Sequence, residues 1–338
     1  MARTPGQFGG FYFDPDVFTS YVAERDPVRS LLIKNGVVQQ ADPAVAQAIS
    51  EKNLKVTIPF YVPFDGDPLN YDGQTDNTPV EVSGKKMSCC GYRRMKAWKE
   101  KDFTHELTGA NGLQNVANHV GDYQAKCNQR TLTKILAGIA GVADFATHVN
   151  DVASANTTVA EANYLTPQLA LKGMQGALGD HQSEFKVWFM HSAVFTDLVK
   201  QNLANNINVM ENAQVEDPYD GYFLGKPVIV DDSLPMEPED DAAANYTTYL
   251  LGTGAFITAP VRIDVPNYTD YDPETAGGTQ MLYTKWGRLI HPYGFSFNSD
   301  ACATDSPTDA EFATSANWTM AFNTKNIPIA IFKTNVSL

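Results

Sequence analysis

Between Tyr92 and Lys101 stand five cations, Arg93, Arg94, Lys96, Lys99 and Lys101, against one acid, Glu100. Two chemistries suit such a row: it can neutralise phosphates, or it can face carboxylates on another protein surface. The whole chain carries a net charge of −14, whereas a grip on nucleic acid normally rests on a basic face. A basic strand laid across an acidic neighbouring subunit is therefore the preferred reading. On a strand, Arg94 and Lys96 share one face and Arg93 lies on the other. Charge on both faces argues against a buried core strand.

No other motif in the sequence carries chemistry. His105-Glu106-Leu107-Thr108-Gly109 opens like a zinc helix but lacks the second histidine one turn later. There is no P-loop, and Gly252-Thr253-Gly254 lacks the third glycine of a dinucleotide fingerprint. No G-x-S-x-G elbow occurs. Asp231-Asp232 with Glu237 and Glu239 to Asp241 could hold Ca²⁺, but without the spacing of a dedicated loop; a hydrated acidic surface is the plainer reading. His291, before Pro292 at a strand end, reads as structural. Cys89, Cys90, Cys127 and Cys302 have neither zinc nor disulfide spacing and read as reduced thiols filling gaps. The sequons at Asn156, Asn245, Asn267, Asn317 and Asn335 are chance products of an Asn/Thr-rich chain. No catalytic residue, cofactor or metal is expected.

At 338 residues, 43% hydrophobic and 19% charged, the chain can bury a real core. It has no run of about 18 apolar residues, so no membrane helix is expected, and the start lacks the apolar region of a secretory signal. A cytosolic setting is expected. Met1 to about Phe13 reads as an extended arm, whose Phe11 and Phe13 need cover from a neighbour. Asp14 or Asp16 caps a helix to about Lys34, and Asp42-Pro43 opens a short one to about Lys52. Leu54 to Val62 alternates as a strand, with Val56, Ile58 and Tyr61 as its apolar positions. A polar segment with two Asp-Gly turns leads into strands at Val80 to Ser83 and Lys86 to Trp98, together a hairpin of roughly forty residues. A connection that long normally has a function.

Thr104 to Leu107 reads as a helical turn. A long helix follows from Asn111 to Ala140, with Leu113, Val116, Ala117, Val120, Tyr123, Cys127, Leu132, Ile135 and Leu136 at helical spacing. Thr166-Pro167 starts a helix to about Leu178; Phe185 to Met190 is a buried strand; Ser192 caps a helix to about Asn205. Val228 to Val230, Tyr246 to Ile257, Val261 to Val265, Thr279 to His291 and Trp318 to Phe332 read as strands. Val215 to Asp241 reads as an acidic loop region. The class is α+β.

In order and spacing these segments resemble the major capsid proteins of tailed bacteriophages, the Hong Kong 97-type fold. The likeness is carried by Ile58-Pro59-Phe60 with Asp65-Gly66-Asp67, the strand Arg93 to Trp98, and Asp102 to Gly109. It continues with the helix Val116 to Gln129, Met190-His191-Ser192, Gly225 to Asp232, Tyr283 to Gly294, Asn317-Trp318 and Lys325 to Ile329. The resemblance implies an N-terminal arm (1–53), an extended E-loop (54–100) and a peripheral domain with a spine helix (101–149). An axial domain (150–257) and returning peripheral strands (258–338) complete it. It implies a non-enzymatic subunit that assembles with itself into pentamers and hexamers of an icosahedral head in the host bacterial cytoplasm. The shell would enclose dsDNA without sequence-specific binding. It also implies a separate scaffolding protein, a portal, a decoration protein in some relatives, and no membrane. In some relatives an E-loop lysine forms an isopeptide bond; Lys85 or Lys86 lies in that loop, but the partner asparagine and glutamate have no match here. An encapsulin-like compartment and a cytosolic hydrolase using Val215 to Asp241 are the alternative readings.

Overall fold

The computed structural model describes residues 6–8, 11–13, 36–51, 54–63, 66–72, 74, 76, 79, 81–82, 84–103, 112–154, 159–205, 210–212, 219–237 and 244–336. The expected helix from Asp14 or Asp16 to Lys34 and the turn Thr104 to Leu107 lie outside them. The long helix is present as Gly112–Ala140, 29 residues, which at ~1.5 Å per residue spans about 43 Å. Leu132, Ile135, Leu136 and Ile139 are fully buried and recur at the 3–4-residue spacing of one helix face. Val120 is only half-buried, and the side chains of Leu113, Val116 and Ala117 lie outside the described set. Among the described side chains the helix is buried most deeply in its C-terminal half. Gly138 allows this closeness: a Cβ there would collide with the Phe312 carbonyl and the Trp318 indole, which are themselves joined by a 2.8 Å hydrogen bond.

Two large sheets flank that half of the helix. The eight-stranded sheet runs Val149–Asp151, Ile329–Thr334, Asn245–Gly252, Phe185–Met190, Lys226–Val230, Gly221–Phe223, Met210–Asn212, with Met236–Glu237 beside Asn245–Gly252. Apart from the exposed Lys186 its central strand Phe185–Met190 is buried on both faces, as the apolar run Val187-Trp188-Phe189-Met190 requires. One face joins the long helix in the main core, through Phe189, Tyr249, Leu251, Ile329 and Ile331. The other covers Trp188, Leu250 and Phe332 with the helices Pro167–Leu178 and Ser192–Asn205.

The five-stranded sheet runs Asn267–Asp272, Thr279–Pro292, Phe256–Pro260, Val38–Gln40, with Tyr92–Lys101 on the opposite edge of Thr279–Pro292. A third, smaller core lies under the helix Pro43–Glu51, around Ile49, Met87, Cys89 and Leu289. Gly6–Phe8 pairs with Phe11–Phe13 in a separate two-stranded ribbon.

Several sequence expectations are corrected. The return strand of the hairpin is Gly84–Cys90, paired to Lys55–Tyr61; the basic strand Tyr92–Lys101 leaves it at Gly91 and joins the five-stranded sheet. Gly91 is where the chain changes sheets: its N–H donates to the Leu54 carbonyl, and a Cβ would sit 3.1 Å from the Val261 side chain. On Lys55–Tyr61 the inward residues are Val56, Ile58 and Phe60, while Tyr61 faces out. Tyr246 to Ile257 is two strands in different sheets, Asn245–Gly252 and Phe256–Pro260, turned at Gly254 with φ 70°. Val261 to Val265 is not a strand; the strand is Asn267–Asp272, after Pro266. Trp318 to Phe332 splits into Trp318–Met320 and Ile329–Thr334, separated by a single 3₁₀ turn and Pro328. Val215 to Asp241 is only partly loop, since Gly221–Phe223 and Lys226–Val230 belong to the large sheet.

Candidate functional site

The histidines and thiols are structural where they are described. His291 is fully buried and its Nε2–H donates to the Phe295 carbonyl at 2.7 Å; burial outweighs that bond and lowers its pKa to about 4. Burial likewise pushes the Cys89 and Cys90 thiols up to about 12, far from the thiolate that reactivity needs. His191, Ser192 and Asp232 lie together but do not form a nucleophile relay. Asp232 accepts the Ser192 N–H at 3.2 Å, and His191 Nδ1 accepts the Ala193 N–H at 3.1 Å. Both side chains thus satisfy the first N–H groups of the helix Ser192–Asn205, a task the sequence assigns to Ser192 itself. Among the described residues no group of histidines, cysteines or carboxylates is arranged to hold a metal ion.

What remains is surface. Along Tyr92–Lys101 exposure alternates except at Lys96: Tyr92 is buried and Arg94, Trp98 and Glu100 are half-buried, Arg93, Met95, Ala97, Lys99 and Lys101 face out, and Lys96 is exposed on the inward side. The inward set meets the long helix, through Tyr92 Oη donating to Asn128 Oδ1 at 2.8 Å and Trp98 edge-on to Tyr123. Arg94 belongs to that inward set. Its Nη2 pairs with Asp309 Oδ1 at 2.8 Å and its guanidinium lies 4.8 Å over the Tyr92 ring. Arg93 is held at the edge by Ser306, whose Oγ accepts its N–H at 2.9 Å, and Nη2 donates to the Arg262 carbonyl at 3.4 Å. Lys96, Lys99 and Lys101 are exposed and make no ion pair among the described residues. The five cations therefore divide: Arg94 braces its own subunit, Arg93, Lys99 and Lys101 lie on the outer face, and Lys96 is exposed although it shares Arg94's face.

Exposed apolar groups stand out in two parts of the chain. Tyr61, Leu69, Tyr71 and Val82 stand out along the hairpin, Tyr71 wholly exposed. Met95, Tyr268 and Tyr271 stand out on the five-stranded sheet, and Phe103 and Val265 in the segments next to its strands. Phe60, by contrast, finds cover within the chain, edge-on to Phe322 at 4.5 Å. Phe11 and Phe13 pair through their backbones with Phe8 and Gly6; Phe64 lies outside the described residues. The sequence reading missed the acidic side of this sheet. Asp264, Asp270, Asp272 and Glu274 fall between Arg262 and Lys285 with no cation among them, a charge asymmetry that is legible in the sequence.

Residues 107–328 match the family described as Gp13-like, major capsid protein 13-like. The chain belongs to the Gp13-like major capsid protein family. It is 29% identical over 329 residues to the major capsid protein of Bacillus phage SPP1, covering 94% of this chain and 95% of that protein. Its fold is similar to the capsid of Ralstonia phage GP4, with TM-score 0.62, 11% identity, and 96% and 97% of the two chains covered. An encapsulin complex of Synechococcus elongatus PCC 7942 shares the fold at TM-score 0.54 and 7% identity, over 94% and 92%. The α+β expectation thus stands as a mixed helix-and-sheet fold of the phage-capsid kind. Fold likeness alone would not part a phage head from a compartment; membership of a major capsid protein family does. That family is structural, so the chain is a shell protein and not an enzyme.

Proposed function

We propose that this chain builds the icosahedral head of a tailed bacteriophage by assembling with itself into pentamers and hexamers around packaged dsDNA. Membership of the major capsid protein family carries the reading. Apolar side chains along the hairpin that no described part of the chain covers support it, since such patches mark interaction surfaces. The hairpin Lys55–Tyr61 with Gly84–Cys90 is the root of the E-loop, and Gly112–Ala140 is the spine of a peripheral domain. The eight-stranded sheet forms most of an axial domain. Arg93, Lys96, Lys99 and Lys101 serve contacts between subunits, as do Phe11 and Phe13 of the arm. The net charge of −14 suits a wall that surrounds DNA without adhering to it. A scaffolding protein, a portal and a decoration protein are the further partners, and assembly takes place in the host bacterial cytoplasm.

Electron microscopy of the purified chain at high concentration tests this. Rings and closed shells are expected. A stable monomer whose hairpin and arm fold back on its own surface would overturn the reading. Shells that select a protein cargo and never associate with a portal would favour an encapsulin-like compartment instead.

A further inference from the structure

The sheet that carries the basic strand has oppositely charged edges. Tyr92–Lys101 and Asn267–Asp272 flank the same central strand, Thr279–Pro292, on its two sides. Register places Lys99, Met281 and Asp270 in one row across the sheet, and Lys101, Thr279 and Asp272 in the next. Residues directly opposite in antiparallel pairs share a face. The lysines and carboxylates therefore lie on one face, two strand spacings or about 10 Å apart. That is too far for a direct pair within the subunit. Neither strand has another strand beyond it among the described residues. Such edges are templates for pairing with another chain.

We infer that the basic edge of one subunit abuts the acidic edge of a second copy of this chain. This inference rests on the shell reading above and names the surfaces that meet. Set edge to edge, the lysines of one copy lie about one strand spacing, roughly 5 Å, from the next copy's carboxylates. The occupant is chosen by charge: two basic edges or two acidic edges repel, whereas unlike edges attract. The contact is heterologous, joining different surfaces of identical subunits, and such contacts close into rings when the rotation permits. Met95, beside Lys285, and Tyr268, beside Tyr283, flank the charged rows and supply the apolar part of the contact.

Carbodiimide cross-linking tests it, because this reagent joins a lysine amine directly to a carboxylate in contact with it. Shells or rings assembled from mixed ¹⁴N- and ¹⁵N-labelled chains should yield a Lys99–Asp270 or Lys101–Asp272 link between differently labelled peptides. A charge-reversal cycle gives an independent measure. Lys99→Glu and Asp270→Lys should each slow assembly about ten-fold at low salt, and the double variant should regain most of the rate. Circular dichroism of each variant confirms its fold. Assembled particles without the mixed-label link overturn the contact and leave the shell reading intact, as does a double variant as slow as the slower single. A wild-type chain that never assembles overturns both.

Discussion

The two large sheets are built from the same backbone geometry for opposite purposes. In the eight-stranded sheet, the strands Phe185–Met190, Asn245–Gly252 and Ile329–Thr334 are almost wholly buried, and helix packing closes both faces within the subunit. In the five-stranded sheet only part of Thr279–Pro292 is buried, Tyr92–Lys101 alternates, and Asn267–Asp272 is exposed nearly throughout. The central strands of the first sheet are covered on both faces within one chain. The second has its long central strand and both flanks in place, but among the described residues the outer faces of Tyr92–Lys101 and Asn267–Asp272 stay exposed. Substitutions in the first should therefore be read out as subunit stability. Those on the outer face of the second should be read out as assembly.

The sharpest test of the anchored half of the molecule is Leu132→Asp, which buries an unpaired charge in the main core. It should abolish soluble, folded protein, as expression and circular dichroism will show. Val120→Asp, at a half-buried position earlier in the same helix, should be milder and leave folded material. If Val120→Asp is the more damaging, the more deeply buried half is not what holds the helix. Next in size is Trp188→Ala. Trp188 packs on Phe223 and Phe332 and donates Nε1–H to the Phe223 carbonyl at 3.1 Å. Its loss should cost about 3–5 kcal/mol in urea unfolding, while Met95→Ala on the other sheet should leave the urea midpoint within about 0.5 kcal/mol of wild type.

Acid should weaken the subunit in a defined window. The folded chain holds His291 at about 4 because the ring is wholly buried, whereas the unfolded chain binds that proton near 6.5. A depressed histidine stabilises the fold above the unfolded value, and that stability is lost as pH falls from about 6.5 toward 4. His148 shifts in the same direction, again by burial. Between pH 7 and pH 5, His291 alone should remove about 2 kcal/mol. Urea midpoints at both values check this, and His291→Asn should flatten the difference. An unchanged slope in that variant would assign the acid sensitivity elsewhere.

How much of this could be read from residues alone depended on whether the determining contact was local. The helix Pro167–Leu178 was legible because its start is written in place: Thr166 Oγ1 accepts the Leu169 N–H, and proline occupies the first helical turn. The long helix and the strand Phe185–Met190 were legible from periodicity and apolar content. The change of sheet at Gly91 was not, since Cys90, Gly91 and Tyr92 are all buried and alternation gives no break there. Nor was the split at Gly254, where β-like residues continue on either side of a turn. In the candidate site the cation row was plain from composition. Its division was hidden because Asp309, which claims Arg94, lies 215 residues away in sequence.

That division supplies the smallest predicted effect. Arg94 is partly covered, pairs with Asp309 and lies over Tyr92. Asp309 also accepts the Thr131 hydroxyl at 3.0 Å, so the arginine helps tie the basic strand to the long helix and the helix Asp309–Ala313. Thr308 and Glu311 already cap that helix, and the pair is partly solvated, so its loss is modest. Arg94→Ala should lower subunit stability by roughly 1 kcal/mol, with assembly affected only as far as stability is. Lys96→Glu, exposed and without such a brace, should leave the urea midpoint unchanged and slow assembly at low salt, with the difference from wild type shrinking as salt is raised. In the double variant Arg94→Glu with Lys96→Glu, the stability loss should follow the arginine and the assembly defect the lysine. If Arg94→Ala instead kept full stability and slowed assembly in a salt-dependent way, the arginine would belong with the outward row, and the basic strand would act as one surface.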